Sequence, residues 1–310
     1  MTKESIALLP GFKNSESVWR ILKLTGLPLA TRCNMMRRIL RWRTPGETKI
    51  RKELLPVELK PTTIAALPSL KLDGFCQLAP DFAPEASTVA AELHKIYQVF
   101  RTKSDKLKSD KSKKMGFLRT IMSDAEFLDS PSILDFVTGS NFLELAAVYL
   151  GEAPVLSAVN LWWSPVNTTA QSSQLFHFDE ADDQQIKFFL NCAAVGPENG
   201  PFTLVPARPS KDVLAEIGTV HGRISDEIVA KHLRGQPPIP LIGPAGALAA
   251  VDSSRCLHFG SRGNSMDRII LMFQFVRFSA PRSERPNWGR KIFDFAANKP
   301  PLVRRALWLT

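Results

Sequence analysis

Nowhere in the 310 residues does an apolar run approach the roughly 18 consecutive residues that a membrane-spanning helix requires. The opening MTKESIALLPGFKNSESVWR is interrupted by Pro10, Gly11 and charges before a secretory core could form, so a cytoplasmic location is expected. Cysteine is sparse. Cys33, Cys76, Cys192 and Cys256 stand far apart with no C-x-x-C pair, which argues against a disulfide framework or a zinc site and for buried or free thiols. There is no internal repeat, no zinc finger and no aromatic-basic RNA-binding motif, so no nucleic-acid partner is expected. Histidine is scarce as well, with five in all, and that makes any suggestive spacing between two of them informative.

What is present is the composition of an ordinary globular chain, 44% hydrophobic and 23% charged. The net charge of +10 is unevenly spread. Residues 1–60, 95–119 and 277–310 together carry roughly +20, which leaves the remainder near −10. The first of these segments reads as basic helix, with Met35, Met36, Ile39, Leu40 and Trp42 interleaved with Arg37, Arg38, Arg41 and Arg43. Such a helix either packs an apolar stripe on the body with its arginines solvated, or associates weakly with an anionic membrane surface. Pro56, Pro61 and Pro68 read as a linker or irregular edge, LKLDGFCQL as a short strand with a turn at Asp73-Gly74, and Pro84 to Phe100 as a helix. The run RTKSDKLKSDKSKKMG reads as a charged surface loop, and residues 130–150 as one helical segment stopped by Gly151.

Beyond Val155 the pattern changes. VLSAVNLWW, FHFD, IKFFLNCAA, FTLVPA, ALAAVD and RIILMFQFVRF are short runs of β-formers separated by Gly, Pro and Asn, with Asn199-Gly200 as a hairpin signal. Several antiparallel strands in so short a stretch suggest a small barrel or sandwich. Within it, His177 and Asp179 form an H-x-D pair whose side chains point to one face of a strand. His258 returns about 80 residues later beside another strand. Two histidines and one carboxylate leave three positions of an octahedral ion open, the ligand set of non-haem ferrous oxygenases. Arg268, ten residues after His258, is placed to grip the distal carboxylate of a keto acid such as 2-oxoglutarate.

Three stretches together, QLFHFDEADDQQIKFFLN at 174–191, GPENGPFTLVPARPS at 196–210 and AAVDSSRCLHFGSRGNSMDRIILMFQF at 249–275, resemble the phytanoyl-CoA dioxygenase family of Fe(II)/2-oxoglutarate oxygenases. The similarity covers about residues 70–280. It implies a mainly β fold with flanking helices (α+β) and a double-stranded β-helix core, of the jelly-roll, cupin-like kind. Residues 1–69 would then be a basic helical extension and 281–310 a basic tail. The resemblance further implies Fe(II) on His177, Asp179 and His258, 2-oxoglutarate on Arg268 and Asn160, and O2 as oxidant. A small-molecule substrate would be hydroxylated with release of succinate and CO2. The carboxylate of Asp179 favours this, or another oxidation such as desaturation, over halogenation. The alternative is a catalytically silent barrel serving as a binding or scaffold module.

Other residues leave two readings open. Lys187 reads equally as a snorkelling lysine or as a group at the site. Ala207-Arg208-Pro209 replaces the Gly-Ser-His-like tripeptide usual in the family, which is expected to alter a loop at the site mouth. Gly260 stands where relatives often place a hydroxyl, with Ser261 adjacent. Glu180, Asp182 and Asp183, beside the H-x-D, read either as an exposed acidic turn or as groups supporting the site or its entrance. Of the neighbours Trp162 and Trp163, only one can face the interior. His94, His221 and His232 have no partners in ligand-like spacing.

Overall fold

The computed structural model describes residues 16–106, 116–217, 222–233, 235–280 and 285–310. His221 and most of the lysine-rich run lie outside them. The chain begins with α1 (Glu16–Leu24), α2 (Leu29–Arg43), α3 (Pro45–Glu53) and α4 (Pro61–Asp73), followed by β1 (Phe75–Leu78) and α5 (Ala86–Lys106). Next come β2 (Arg119–Thr120), α6 (Asp124–Phe127), α7 (Pro131–Val137), α8 (Ser140–Leu150), β3 (Val155–Ser164), β4 (Ile186–Asn191) and β5 (Thr203–Leu204). The remainder holds α9 (Ala207–Ile217), α10 (Asp226–Leu233), β6 (Ile239–Pro240), β7 (Leu248–Val251), β8 (His258–Phe259), β9 (Arg268–Val276), α11 (Lys291–Ala296) and α12 (Pro301–Ala306).

Two antiparallel sheets make the α+β jelly-roll. The larger has the order β1-β7-β4-β9-β3-β2 and the smaller β6-β5-β8. Bridges at Phe176–Ile224 and His177–His258 extend the smaller sheet by the H-x-D segment. Alternation along the central strands sorts their side chains. On β9, Ile269, Leu271, Phe273 and Phe275 join the core beneath the helices, while Ile270 and Met272 belong to a separate cluster with Phe189, Ala249 and Val251. The helix-covered face is held by aromatic packing. Phe188 and Phe273 are cross-strand partners with ring centroids 5.1 Å apart, and Phe142 of α8 meets each edge-on at 5.0 Å. Each such buried ring contributes roughly 1.5–3 kcal/mol. The larger sheet is thereby fixed from outside, and its other face carries the second cluster, in which Phe189, Ile270 and Met272 join Leu204 of the smaller sheet.

Several elements differ from the sequence expectation, each for a local reason. The prolines at 61 and 68 do not mark a linker: Pro61 occupies the first turn of α4, where its missing N–H costs nothing, and Pro68 lies inside the helix. The strand begins only at Phe75, after Gly74 closes α4 in the left-handed region at φ +77°. The apolar stretch Pro131–Leu150, mean hydropathy 1.3, is long enough to span a membrane by composition, but 72% of it is buried. It forms two helices, α7 and α8, separated at Thr138-Gly139, and Gly151 ends the second as anticipated. Ala207-Arg208-Pro209 opens helix α9 and is not a loop. The pair Trp162-Trp163 divides as strand geometry demands: Trp163 packs edge-on against Tyr97 and Phe100 of α5, and Trp162 packs against the second cluster on the opposite face.

Asn199-Gly200 does not make a hairpin, because β4 and β5 belong to different sheets. A 3-10 turn, Pro197–Asn199, carries the chain between them, and Gly200 sits at φ +59°. A Cβ there would lie 2.9 Å from Asn264 Cβ and 3.2 Å from the Arg262 backbone. The Gly200 carbonyl also accepts the Ser261 N–H at 3.1 Å, so this corner fixes the loop after β8. Gly200→Ala is expected to lower stability by about 2 kcal/mol, from left-handed strain plus the backbone clash, as read by chemical denaturation. An unchanged midpoint would refute this.

The acidic turn is not exposed either. Asp182 is fully buried, and both it and Asp183 are ion-paired with Arg37 of α2 and with Arg277. Local charge alone suggests a solvated turn, but the counter-charges come from Arg37 and Arg277, far along the chain in either direction. Of the α2 residues read as an apolar stripe, Met36 and Leu40 pack with Cys33 against Leu22 of α1, whereas Met35, Ile39 and Trp42 are exposed, and Arg32 and Arg37 are buried instead of solvated. All four cysteines are free and buried.

Candidate metal and anion site

His177 and His258 face each other across an antiparallel bridge. His177 N–H donates to His258 O at 3.0 Å, and His258 N–H donates to His177 O at 3.1 Å. Directly opposed residues of a ladder project to the same side, so the two imidazoles meet, with ring centroids 4.2 Å apart. Asp179 follows two residues on, its backbone N–H donating to Ser253 O at 3.0 Å. The ligand-capable atoms of His177, Asp179 and His258 all lie within 4.8 Å of one another, and Asp179 Oδ2 is 3.5 Å from His258 Nε2.

The protonation of the imidazoles follows from their neighbours. His177 Nδ1 lies 2.9 Å from Leu175 O, and His258 Nδ1 lies 2.9 Å from Cys256 O. A carbonyl can only accept, so each Nδ1 carries the hydrogen and each Nε2 keeps a lone pair for the site. Burial reinforces the neutral form. It pulls the His258 imidazole down to about 3 against the opposing pull of Asp179, and lowers His177 for the same reason. Burial alone would raise the Asp179 carboxyl, but Lys187, His258 and His177 outweigh it and hold the group far below the usual carboxylate range. Two neutral imidazoles and an ionised carboxylate are the protonation states that a divalent cation needs. Phe202 stacks on His258 at 4.9 Å and forms one wall.

Arg268 opens β9 and is 4% exposed. Its Nη2 donates to Ser261 Oγ at 2.7 Å and to Ser164 Oγ at 3.3 Å, and the two hydroxyls lie 2.8 Å apart. Ser261 reaches it from a left-handed backbone at φ +61°, with Gly260 lying against the guanidinium where a Cβ would come 3.5 Å from Nη2. The hydroxyl missing at 260 is therefore supplied by 261. Among the described residues no carboxylate pairs with Arg268, and its Nε has no partner. Burial pulls the guanidinium down to about 10 with nothing opposing it. A buried cation held only by neutral hydroxyls is costly, and an anionic ligand is the natural compensation.

The other candidates fall as follows. Asn160 lies within β3 opposite Met272, on the same face as Ala158 and Trp162, and so on the face that carries the second cluster. Lys187 is no snorkelling lysine: its Nζ is 2.5 Å from Asp179 Oδ2. His94 packs on Tyr97 and His232 pairs with Glu216 at 3.0 Å, both apart from the triad. Sequence reasoning missed Ser164 as a partner of Arg268. The register of β3 on β9 places those two residues opposite each other, and a strand-pairing argument from the length of both runs could have found it.

No protein-family model matches the chain, and no curated protein matches it. Among solved structures, AviO1 from Streptomyces viridochromogenes Tue57 is similar at 21% identity over 73% of this chain and 100% of its own, with a TM-score of 0.47. EctD from S. alaskensis with bound Fe is similar at 15% identity over 80% and 84%, with a TM-score of 0.49. The non-heme alpha ketoglutarate dependent epimerase SnoN from nogalamycin biosynthesis is similar at 14% identity over 69% and 82%, with a TM-score of 0.45. At that distance the chemistry has to be argued from this chain's own residues.

Proposed function

We propose that the protein is a non-haem Fe(II)/2-oxoglutarate-dependent oxygenase of the phytanoyl-CoA dioxygenase kind, acting on a small molecule. The observation that carries this reading is the pairing of two features in one barrel. One is a His-Asp-His set with its atoms within 4.8 Å, and the other is a buried guanidinium with no acidic partner among the described residues. A metal-binding triad alone suits many proteins. A second, cationic anchor suits a metal-chelating keto acid with a distal carboxylate. A silent scaffold has no use for an uncompensated buried arginine.

In this reading His177, Asp179 and His258 hold Fe(II), and Arg268, flanked by Ser164 and Ser261, takes the distal carboxylate of 2-oxoglutarate. When bound, the metal and co-substrate supply O2 activation coupled to oxidative decarboxylation, which gives succinate, CO2 and an oxidised substrate. The chain's part is positional. Leu175 O and Cys256 O hold the imidazole Nδ1 protons and so aim each Nε2 inward. Phe202, Trp162, Phe189 and Met272 line an apolar interior that limits water. Asn160 is a second polar contact for the co-substrate. Asp179, by taking the place a halide would need, favours hydroxylation or another oxidation such as desaturation over halogenation.

Anaerobic addition of Fe(II) and 2-oxoglutarate tests the reading. A weak visible charge-transfer band is expected in the wild type and none in His177→Ala. With oxygen and a substrate, succinate should appear in step with product. Absence of the band together with absence of bound iron in the wild type would reject the proposal and leave the silent barrel.

A further inference from the structure

We infer that Lys187 is a built-in competitor for the metal site, one that couples metal binding to binding of the anionic co-substrate. The inference rests on the metal and 2-oxoglutarate reading above and concerns how that site is loaded. Lys187 interrupts an otherwise apolar strand, IKFFLN, between Ile186 and Phe188, whose side chains are buried under the helices. Alternation therefore turns Lys187 to the opposite face, along with Phe189 of the second cluster. Its side chain is 13% exposed, and Asp179 is its one acidic partner among the described residues.

The contact is to a particular atom. Lys187 Nζ lies 2.5 Å from Asp179 Oδ2, the same oxygen that stands 3.5 Å from His258 Nε2. The ammonium thus holds the carboxylate oxygen that stands beside His258 Nε2. A plain structural counter-ion is the simpler account, and it accounts for an ionised Asp179 in the absence of metal. It does not account for the arrangement with metal present. A dication bound through Asp179 Oδ2 would displace the ammonium from that oxygen and more than balance the single carboxylate charge, so Lys187, left at most the other oxygen, would stand as a second cation a few ångströms away and be repelled. A barrel that keeps a lysine there needs an anion that arrives with the metal. In the proposed function that anion is the 2-oxoglutarate carboxylate that chelates it. Lys187 accordingly weakens binding of the bare metal and strengthens binding of metal and keto acid together. By linkage each of the two must then favour the other.

The test is titration of Mn(II), as a redox-stable probe, into the full-length protein with and without saturating 2-oxoglutarate. Wild type, Lys187→Met and Lys187→Arg are compared by calorimetry. Methionine keeps the length of the side chain and removes the charge, and Lys187→Gln serves the same purpose if the methionine variant does not fold. The neutral variant is expected to bind Mn(II) alone about tenfold more tightly, and the factor by which 2-oxoglutarate tightens Mn(II) should shrink by about tenfold. Lys187→Arg should stay near wild type. If folded Lys187→Met binds bare Mn(II) no better than wild type, or worse, Lys187 is a buttress for Asp179 and the inference is overturned while the site stands. If the wild type itself binds no Mn(II), the proposed metal site falls first and takes the inference with it.

Discussion

Replacing Arg268 with leucine is expected to weaken 2-oxoglutarate binding by about thirtyfold to a few thousandfold while leaving Mn(II) affinity within about threefold of wild type. The guanidinium is 4% exposed, so a carboxylate reaching it would be desolvated and held by charge-assisted hydrogen bonds. Removing one partner of such a pair costs about 2–5 kcal/mol, and 1.4 kcal/mol is a factor of ten. The metal is spared because no hydrogen bond or ion pair joins Arg268 to the triad; its bonds run to Ser261 and Ser164. Stability should move the other way. With no ligand bound, the arginine is a buried cation among neutral groups, and an apolar side chain in its place is expected to raise the unfolding free energy by about 1 kcal/mol or more. Arg268→Lys should not restore binding, because a single ammonium lacks the planar two-pronged donor set. The combination of lost co-substrate affinity, retained metal affinity and gained stability marks a binding residue. A leucine variant that binds 2-oxoglutarate as well as wild type would move the anion site elsewhere in the barrel.

The parts of this protein that could be read from its sequence are those whose meaning is carried within a few residues. H-x-D is informative because i and i+2 share a face, and the β-former runs at 155–164, 186–191 and 268–276 became β3, β4 and β9. The order of triad and arginine along the chain fits one barrel, and the structure brings His177, Asp179 and His258 together. What could not be read depends on register and on distant partners. Ser164 and Arg268 are 104 residues apart, and their contact follows from how β3 pairs with β9. Lys187 reads from the sequence equally as a snorkelling lysine or as a group at the site, and the facing of its strand decides between them. Asn199-Gly200 has the chemistry of a hairpin, but hairpins require neighbouring strands in one sheet, and here the chain changes sheets. Proline was over-read as a breaker at Pro61 and Pro68, since position within a helix decides its effect.

The uneven charge noted in the sequence has a structural counterpart, and from it follows the second large effect. Basic segments at the two ends meet acidic groups of the body: Lys23 with Glu180, Arg41 with Glu152, Lys291 with Asp129, and Lys299 with Asp135. Most of these are at least partly exposed and contribute little. Arg37 is different. Its Nη1 donates to Asp182 Oδ1 at 2.5 Å and to Asp183 Oδ1 at 2.6 Å, and its Nη2 donates to Asp183 Oδ2 at 2.9 Å and to Asn34 Oδ1 at 2.7 Å. Burial pushes the Asp182 carboxyl up, and Arg277 and Arg37 together oppose that push. Arg37→Met leaves two largely buried carboxylates facing Arg277 alone. The expected loss is about 3–5 kcal/mol, the usual result of breaking a buried pair from one side, and a melting point lower by roughly 5–10 °C. Removing an acid as well, in Arg37→Met with Asp183→Asn, should recover part of that loss, because the cost lies in the charge left unpaired. The same loop follows directly on Asp179, so Mn(II) affinity in the single variant should also fall several-fold. A single variant as stable as wild type would mean that Arg277 alone neutralises the pair and that α2 is dispensable to the site. A destabilised variant with unchanged Mn(II) affinity would mean that the clamp serves the fold while Asp179 is positioned by its own bond to Ser253.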